Sequence, residues 1–313
     1  MKNFKKKALL PAIIMVMVSV IALSSATYAW FTTGQEATVD HLEVKVVAAS
    51  GIQFSLNAAD WKSVITAEDI KDYGVLPTSE ISPVSTNAKT NGNGRLNFFS
   101  ATVSDNGDKL NSAEVLAPEE SNGVLTPSAA GNYITFDLYV KVTTAAKLYL
   151  NSASAVTNKD GGDTRLATRV AFIDQGSAED PETAMSLKTS NDQSAYVWEP
   201  NATEHATEAL QVYGSALTQG AKATYKGLKA KSPDASTFDI PNNPNGDYDT
   251  ALAPVTTNTE IGLRDEGMVA ELGAGINKLT VTIWIEGQDH DCVNTVSGGK
   301  LDTFLKFIKE DIA

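Results

Sequence analysis

The chain has 313 residues, with 25 Lys and Arg against 38 Asp and Glu, 42% hydrophobic residues and a single cysteine, Cys292. A formal net charge of −13 makes it a poor match for nucleic acid or anionic lipid, since both would repel it. One cysteine excludes an intrachain disulfide, so apolar packing must hold the core, helped by subunits or bound ions.

The first segment has the pattern of an export signal. Lys2, Lys5, Lys6 and Lys7 precede the apolar run Ala8 to Leu23, and Ser24-Ser25-Ala26-Thr27-Tyr28-Ala29 supplies the small-residue end. Thr27, Tyr28 and Ala29 fit a cleavage site, so residues 1–29 read as a signal peptide, a signal peptidase is an expected partner, and Trp30 begins the mature chain. The competing reading is a retained anchor, the one way this chain would contact a membrane: Ala8 to Phe31 spans 24 residues, enough to cross a bilayer at about 1.5 Å per residue. Pro11 and Ser19 interrupt that run, and the early glutamate of a type IV pilin helix is absent. Cleavage leaves 284 residues with 21 basic and 38 acidic side chains, a net charge near −17. That length suits one large core or two modest domains, and the expectation is a single secreted domain over 30–313.

Along the mature chain, rows of alternating apolar residues mark strands. Leu42, Val44 and Val46 form the first, with His41 a surface residue at its start. Ile52, Phe54 and Leu56 follow, with Gly51 as the bend between them. Thr66 to Lys71 reads as one helical turn in which Thr66 caps the amide of Asp69. Ile134, Phe136, Leu138, Val140 and Val142 make a five-member row, continued by Leu148 and Leu150. Leu166 to Ile173 and Leu279, Val281, Ile283, Ile285 are the next rows, and Phe304 to Ile308 closes the chain. In the Leu279 row the alternate residues Lys278, Thr280, Thr282, Trp284 and Glu286 are mostly polar, as in an antiparallel sheet packed on one face. No long helix is indicated. The fold class is therefore all-β, an antiparallel β-sandwich with long loop insertions.

Three polar segments read as surface decoration: Pro77 to Gly94, Asp105 to Gly131, and a polar insertion at about 175–259 carrying short strands or a helix near Thr203 to Tyr213. Loops this long are unusual in a compact domain. Trp198 implies that the insertion packs against something.

Chemical signatures are sparse. The zinc-protease, nucleophile-elbow, phosphate-loop and Cys-x-x-Cys motifs are all missing, so no catalytic residue and no cofactor is assigned. His205 lies in the insertion with no partner nearby in sequence. Asp160-Gly161-Gly162-Asp163 lacks EF-hand spacing and reads as a hairpin turn. The densest cluster is Glu286-Gly287-Gln288-Asp289-His290-Asp291-Cys292. Carboxylates suit calcium, so Glu286, Asp289, His290 and Asp291 are the candidate ligands for a Ca2+ ion, while imidazole or thiolate suits zinc. The plainer reading is a polar turn between strands, bent at Gly287. Trp30 and Phe31 are the other notable residues. Each aromatic contributes about 1.5–3 kcal/mol if buried, so the pair belongs in its own first strand or in a neighbouring subunit.

The leader end Ala22-Leu23-Ser24-Ser25-Ala26-Thr27-Tyr28-Ala29-Trp30-Phe31 resembles that of TasA/camelysin-type exported proteins of Gram-positive bacteria, which use a dedicated signal peptidase. Val39-Asp40-His41-Leu42-Glu43-Val44-Lys45-Val46, Gly51-Ile52-Gln53-Phe54-Ser55-Leu56 and Trp61-Lys62 look like the opening strands of that group. Ile283 to Cys292 looks like the closing strand motif of its clostridial members. The resemblance covers both ends of the chain and little of the middle. It implies a jelly-roll sandwich at the cell surface or in a biofilm matrix. Some relatives polymerise when the mature N-terminal segment of one subunit completes the sheet of the next. Here that role would fall to Trp30 through about Val47, with Trp30, Phe31, Val39, Leu42, Val44 and Val46 as the assembly residues. Camelysin-like relatives are described as surface metalloproteases; without a zinc-protease motif that activity is not carried over.

Three functions compete. The first is a secreted structural subunit of a surface fibre that self-associates. The second is a surface adhesin or glycan-binding module using Tyr196, Trp198 and the insertion, a reading that Trp198 on a shallow exposed groove favours and its burial in the sandwich leaves without motive. The third is an extracellular hydrolase built on scattered Asp and Glu residues.

Overall fold

The computed structural model describes residues 39–49, 51–76, 81–103, 109–115, 118–121, 124–126, 132–159, 162–214, 217–229, 238–239, 252–263, 267–293 and 299–312. The export segment, Trp30, Phe31 and the Asp160-Gly161 pair lie outside the described residues.

Among the described residues, twelve strands build two sheets that share one core. In chain order they are β1 (Val39–Ala48), β2 (Gln53–Ser55), β3 (Val64–Ile65), β4 (Gly74–Val75), β5 (Tyr133–Val142), β6 (Ala146–Leu150), β7 (Ala155–Asn158), β8 (Thr168–Ala178), β9 (Tyr196–Trp198), β10 (Met268–Leu272), β11 (Gly275–Ile285) and β12 (Gly299–Asp311). One sheet runs β10-β6-β12-β1-β3, with β7 also on β12; the other runs β9-β8-β11-β5-β2, with β4 also on β5. The alternating rows supply the shared core. Val44, Val46, Leu148, Leu301, Leu305 and Phe307 from the first sheet meet Phe54, Phe136, Leu138, Phe172, Val281 and Ile283 from the second. Phe307 sits edge-on to both Phe54 and Phe172, at 5.5 and 5.7 Å between ring centroids. The all-β sandwich expected from the rows is what the chain adopts.

Every ladder of the two sheets is antiparallel except one. β1 and β12 run parallel, from Val39 beside Gly299 to Ala48 beside Phe307. Alternation of side chains is the same in both orientations, so the sequence rows carried no sign of this.

The polar face of β11 is not solvated. Lys278, Thr280, Thr282, Trp284 and Glu286 are all buried, as are Thr135, Asp137 and Tyr139 of β5. The cover comes from residues 84–98, which begin in the Pro77 to Gly94 segment read as decoration and run past its end: Val84, Ala88, Leu96 and Phe98 pack on Tyr133, Ala171, Ile173 and Trp284. Phe98 stacks on Tyr133 and meets Trp284 edge-on. Under this third layer, Arg95 donates two hydrogen bonds to Asp137, at 2.6 and 2.8 Å, and Lys278 Nζ lies 3.2 Å from the same carboxylate. Thr280 and Gln175 complete the network. Burial opposes the Asp137 charge, yet the cations hold its pKa below the usual value.

Among the described residues, three short α-helices decorate the sandwich. α1 (Ala67–Ile70) has the expected cap, with Thr66 accepting from the Asp69 amide and Asp69 returning a bond to the Thr66 amide. α2 (Pro181–Ser186) is capped by Asp180, and α3 (Thr207–Tyr213) occupies the place expected within the insertion. β8 runs through Ala178, so the first residues of the 175–259 segment belong to the sheet. The Asp105 to Gly131 segment also carries strands. Lys109–Val115 pairs with Phe98–Val103, and Glu119–Ser121 pairs with Val124–Thr126.

Candidate functional site

Two places concentrate the residues singled out by the sequence. The first is the edge of β1. Val44 and Val46 are buried in the chain's own core, and Val39 and Leu42 belong to the backbone ladder with β12. β3 reaches only the far end of β1, pairing at Val46 and Val47. Among the described residues, no strand lies on that side of Val39–Lys45. The Ala48 amide donates to Ser63 of the β3 side, whereas the Ala49 amide donates to Phe307 of β12. Alternation in the ladder therefore directs the amides of Leu42 and Val44 toward the open side.

The second place is the turn Glu286–Cys292, which follows β11. Its carboxylates are buried and already engaged. Asp289 and Glu199 both accept from Arg169, the latter at 2.6 Å, and Arg169 is 1% exposed and lies 5.3 Å from the Tyr225 ring centroid. Burial works against the guanidinium charge, but Asp289 and Glu199 raise its pKa. Glu286 accepts from Trp284 Nε1 and from the Gln288 amide, both at 3.0 Å. Burial still pushes its pKa up to about 7. Asp291 Oδ2 contacts His205 Nδ1 at 2.8 Å, while its Oδ1 accepts from the Ala206 amide at 2.8 Å. Burial and then the charge of Asp289 raise the Asp291 carboxyl to about 6. The Cys292 thiol is buried, and its pKa is pushed well above the usual value. His290 packs edge-on to Tyr213 at 4.7 Å, and burial lowers its pKa.

Each of the candidate ligands Glu286, Asp289, His290 and Asp291 thus has a partner within the protein. Among the described residues, no group of three or more His, Cys, Asp or Glu side chains is arranged to hold a metal ion. Arg169 supplies the positive charge between Asp289 and Glu199. The residues that complete this cluster are Arg169, Glu199, His205 and Tyr225, which sequence reasoning did not connect with the turn. The lone arginine in the apolar row Leu166 to Ile173 was the available signal. His205 has its partner in Asp291, 86 residues away.

A cleft of about 460 Å³ opens between β7 and the insertion, lined by Val156, Asn158, Arg165, Trp198, Asn201 and Glu204 among others. Arg165 donates to Asn201 at 3.0 Å and Glu204 at 2.5 Å. Trp198 is 2% exposed and belongs to the main core, so it offers no ring face on which a sugar could stack. Tyr196 is half-buried against Phe172.

These features define an all-β sandwich with a covered second sheet and an open strand edge. Compared with known proteins, the chain matches no family model, no curated protein and no solved structure.

Proposed function

We propose that the chain is an exported structural subunit that assembles into a surface or matrix fibre by strand addition. The observation that carries this reading is the edge of β1 over Val39–Lys45, on which, among the described residues, no strand lies. An unpaired edge is a template for another extended chain. Residues 30–38 supply nine residues, about 30 Å when extended, and include Trp30 and Phe31. Because β1 already belongs to its own sheet, the donated segment is the stretch ahead of Val39. The Val39–Lys45 edge of the next subunit is the acceptor.

The acidic composition and the leader pattern agree with export, and the buried, hydrogen-bonded carboxylates of the Glu286–Cys292 turn suit a structural role. The test compares three purified proteins by electron microscopy: the chain starting at Trp30, the chain starting at Val39, and the longer chain carrying Leu42→Pro. Proline at 42 removes a donor from the open side while leaving the β12 side of the ladder intact. Fibres are expected from the first protein alone, with circular dichroism confirming that all three fold. A Trp30 chain that stays monomeric in physiological salt, with and without calcium, sinks the proposal.

A further inference from the structure

The cleft between β7 and the insertion holds a polar wall that is fixed from several sides. Asn201 Nδ2 donates to the carbonyls of Val156 and Arg165, at 3.3 and 3.0 Å, while its Oδ1 accepts from Arg165 Nη1 at 3.0 Å. Asn158 Oδ1 accepts from the Arg165 amide at 2.8 Å, and Glu204 Oε2 accepts from Arg165 Nη2. Arg165 is therefore tied at its backbone and at both terminal nitrogens, and a ligand meets the guanidinium already in place. Its side chain is still 27% exposed and that of Glu204 55% exposed, so the pair faces solvent instead of being sealed into the core. These bonds use only part of the arginine donor fork and one oxygen of the carboxylate.

We propose that this cleft binds a neutral saccharide, held by hydrogen bonds to Arg165, Asn201 and Glu204. Charge argues against the other small ligands. Among the described residues that line the cleft, the charged side chains are Arg165, Asp163 and Glu204, so an anion meets a net negative wall on a molecule that is itself acidic. A cation would have to draw Glu204 away from Arg165. A purely apolar ligand would cut the guanidinium and the carboxylate off from water without replacing it. A hydroxyl donates and accepts without carrying charge, so neighbouring hydroxyls of one sugar can bond a guanidinium, a carboxamide and a carboxylate together.

Size and lining agree with such a ligand. A volume of about 460 Å³ lies in the range of small-molecule sites and has room for about two sugar rings. Val156, Pro200 and Ile261 add apolar surface for the C–H face of a ring, and the exposed Thr157 and Thr259 add hydroxyls. With Trp198 buried, recognition rests on hydrogen bonds rather than ring stacking, and dissociation constants of about 1 mM are expected. The site goes beyond the fibre reading. β7 lies on the other side of β12 from β1, so a bound sugar and an added strand occupy different parts of the sheet.

Saturation-transfer NMR of the chain starting at Trp30 tests this. Cellobiose, maltose, lactose and diacetylchitobiose serve as neutral probes and glucuronic acid as an anionic one, each at about 5 mM. Transfer to at least one neutral disaccharide is expected, and none to glucuronic acid. Arg165→Met is expected to weaken binding of that disaccharide at least about tenfold, through loss of hydrogen bonds from a charged donor. Transfer to no neutral disaccharide overturns the proposal, as does transfer to glucuronic acid alone or an Arg165→Met protein that binds like the wild type. Should Arg165→Met not fold, Glu204→Ala decides, since that side chain lies more than half exposed. A loss of at least about threefold is expected there, and unchanged binding refutes the site.

Discussion

Asp137 is the residue whose surroundings are most at odds with its chemistry. It is 2% exposed on a sheet face, and what makes it tolerable is the Arg95 fork and the Lys278 ammonium. Removing one partner from a buried ion pair costs more than the pair contributes, because the other charge is stranded. Asp137→Ala strands two cations at once, and a loss of about 3–5 kcal/mol is expected in urea unfolding. Arg95 could not be paired with Asp137 from sequence, since 42 residues separate them. The same holds for the turn after β11. Its acidic residues were plain to read, but their partners come from β8 and the insertion, as with Arg169 and Asp289, 120 residues apart. Local pattern reports charge and spacing; it does not report which distant cation fills the space between two carboxylates.

Elements that obey a simple period were readable. The row Ile134 to Val142 is the inward face of β5, and Leu279 to Ile285 is the inward face of β11. Thr66 caps α1 because its side chain and Asp69 stand three residues apart, a relation visible in one turn of sequence. The second faces were not readable. Val84 and Ala88 stand singly among polar residues between Pro77 and Gly94, so that stretch reads as loop although, with Leu96 and Phe98 just beyond it, it forms a layer. That layer is pinned by close backbone contact. The strand Lys226–Leu228, paired with Leu252–Pro254, lies against the 84–86 stretch, and the Leu228 amide donates to Ser85 Oγ at 3.0 Å. A Cβ on Gly227 would fall 1.8 Å from the Thr86 carbonyl oxygen. Gly227→Ala must therefore displace backbone, and a destabilisation of about 1–3 kcal/mol is expected, measured as a lowered urea midpoint.

For the whole molecule, charge governs how copies approach. With the leader removed, 38 acidic side chains face 21 basic ones, and subunits repel over the Debye length. If strand addition joins the subunits, added salt should speed it. Light scattering of the Trp30 chain is expected to rise several-fold faster at about 0.3 M than at about 0.02 M sodium chloride. A rate that falls with salt would show that opposite charges, rather than the open edge, bring the subunits together.

The parallel pairing of β1 with β12 gives the subunit a direction. Because the two strands run side by side the same way, the start of β1 at Val39 and the end of β12 at Asp311 lie at opposite poles. The ten residues of β1 separate those poles by about 33 Å. A contact between unlike surfaces repeats head to tail and leaves a filament open at both ends, whereas a two-fold contact closes on itself. A filament built through the β1 edge would have two distinguishable tips. A label placed after Asp311 would ride at the pole away from the donated segment, marking orientation without blocking growth.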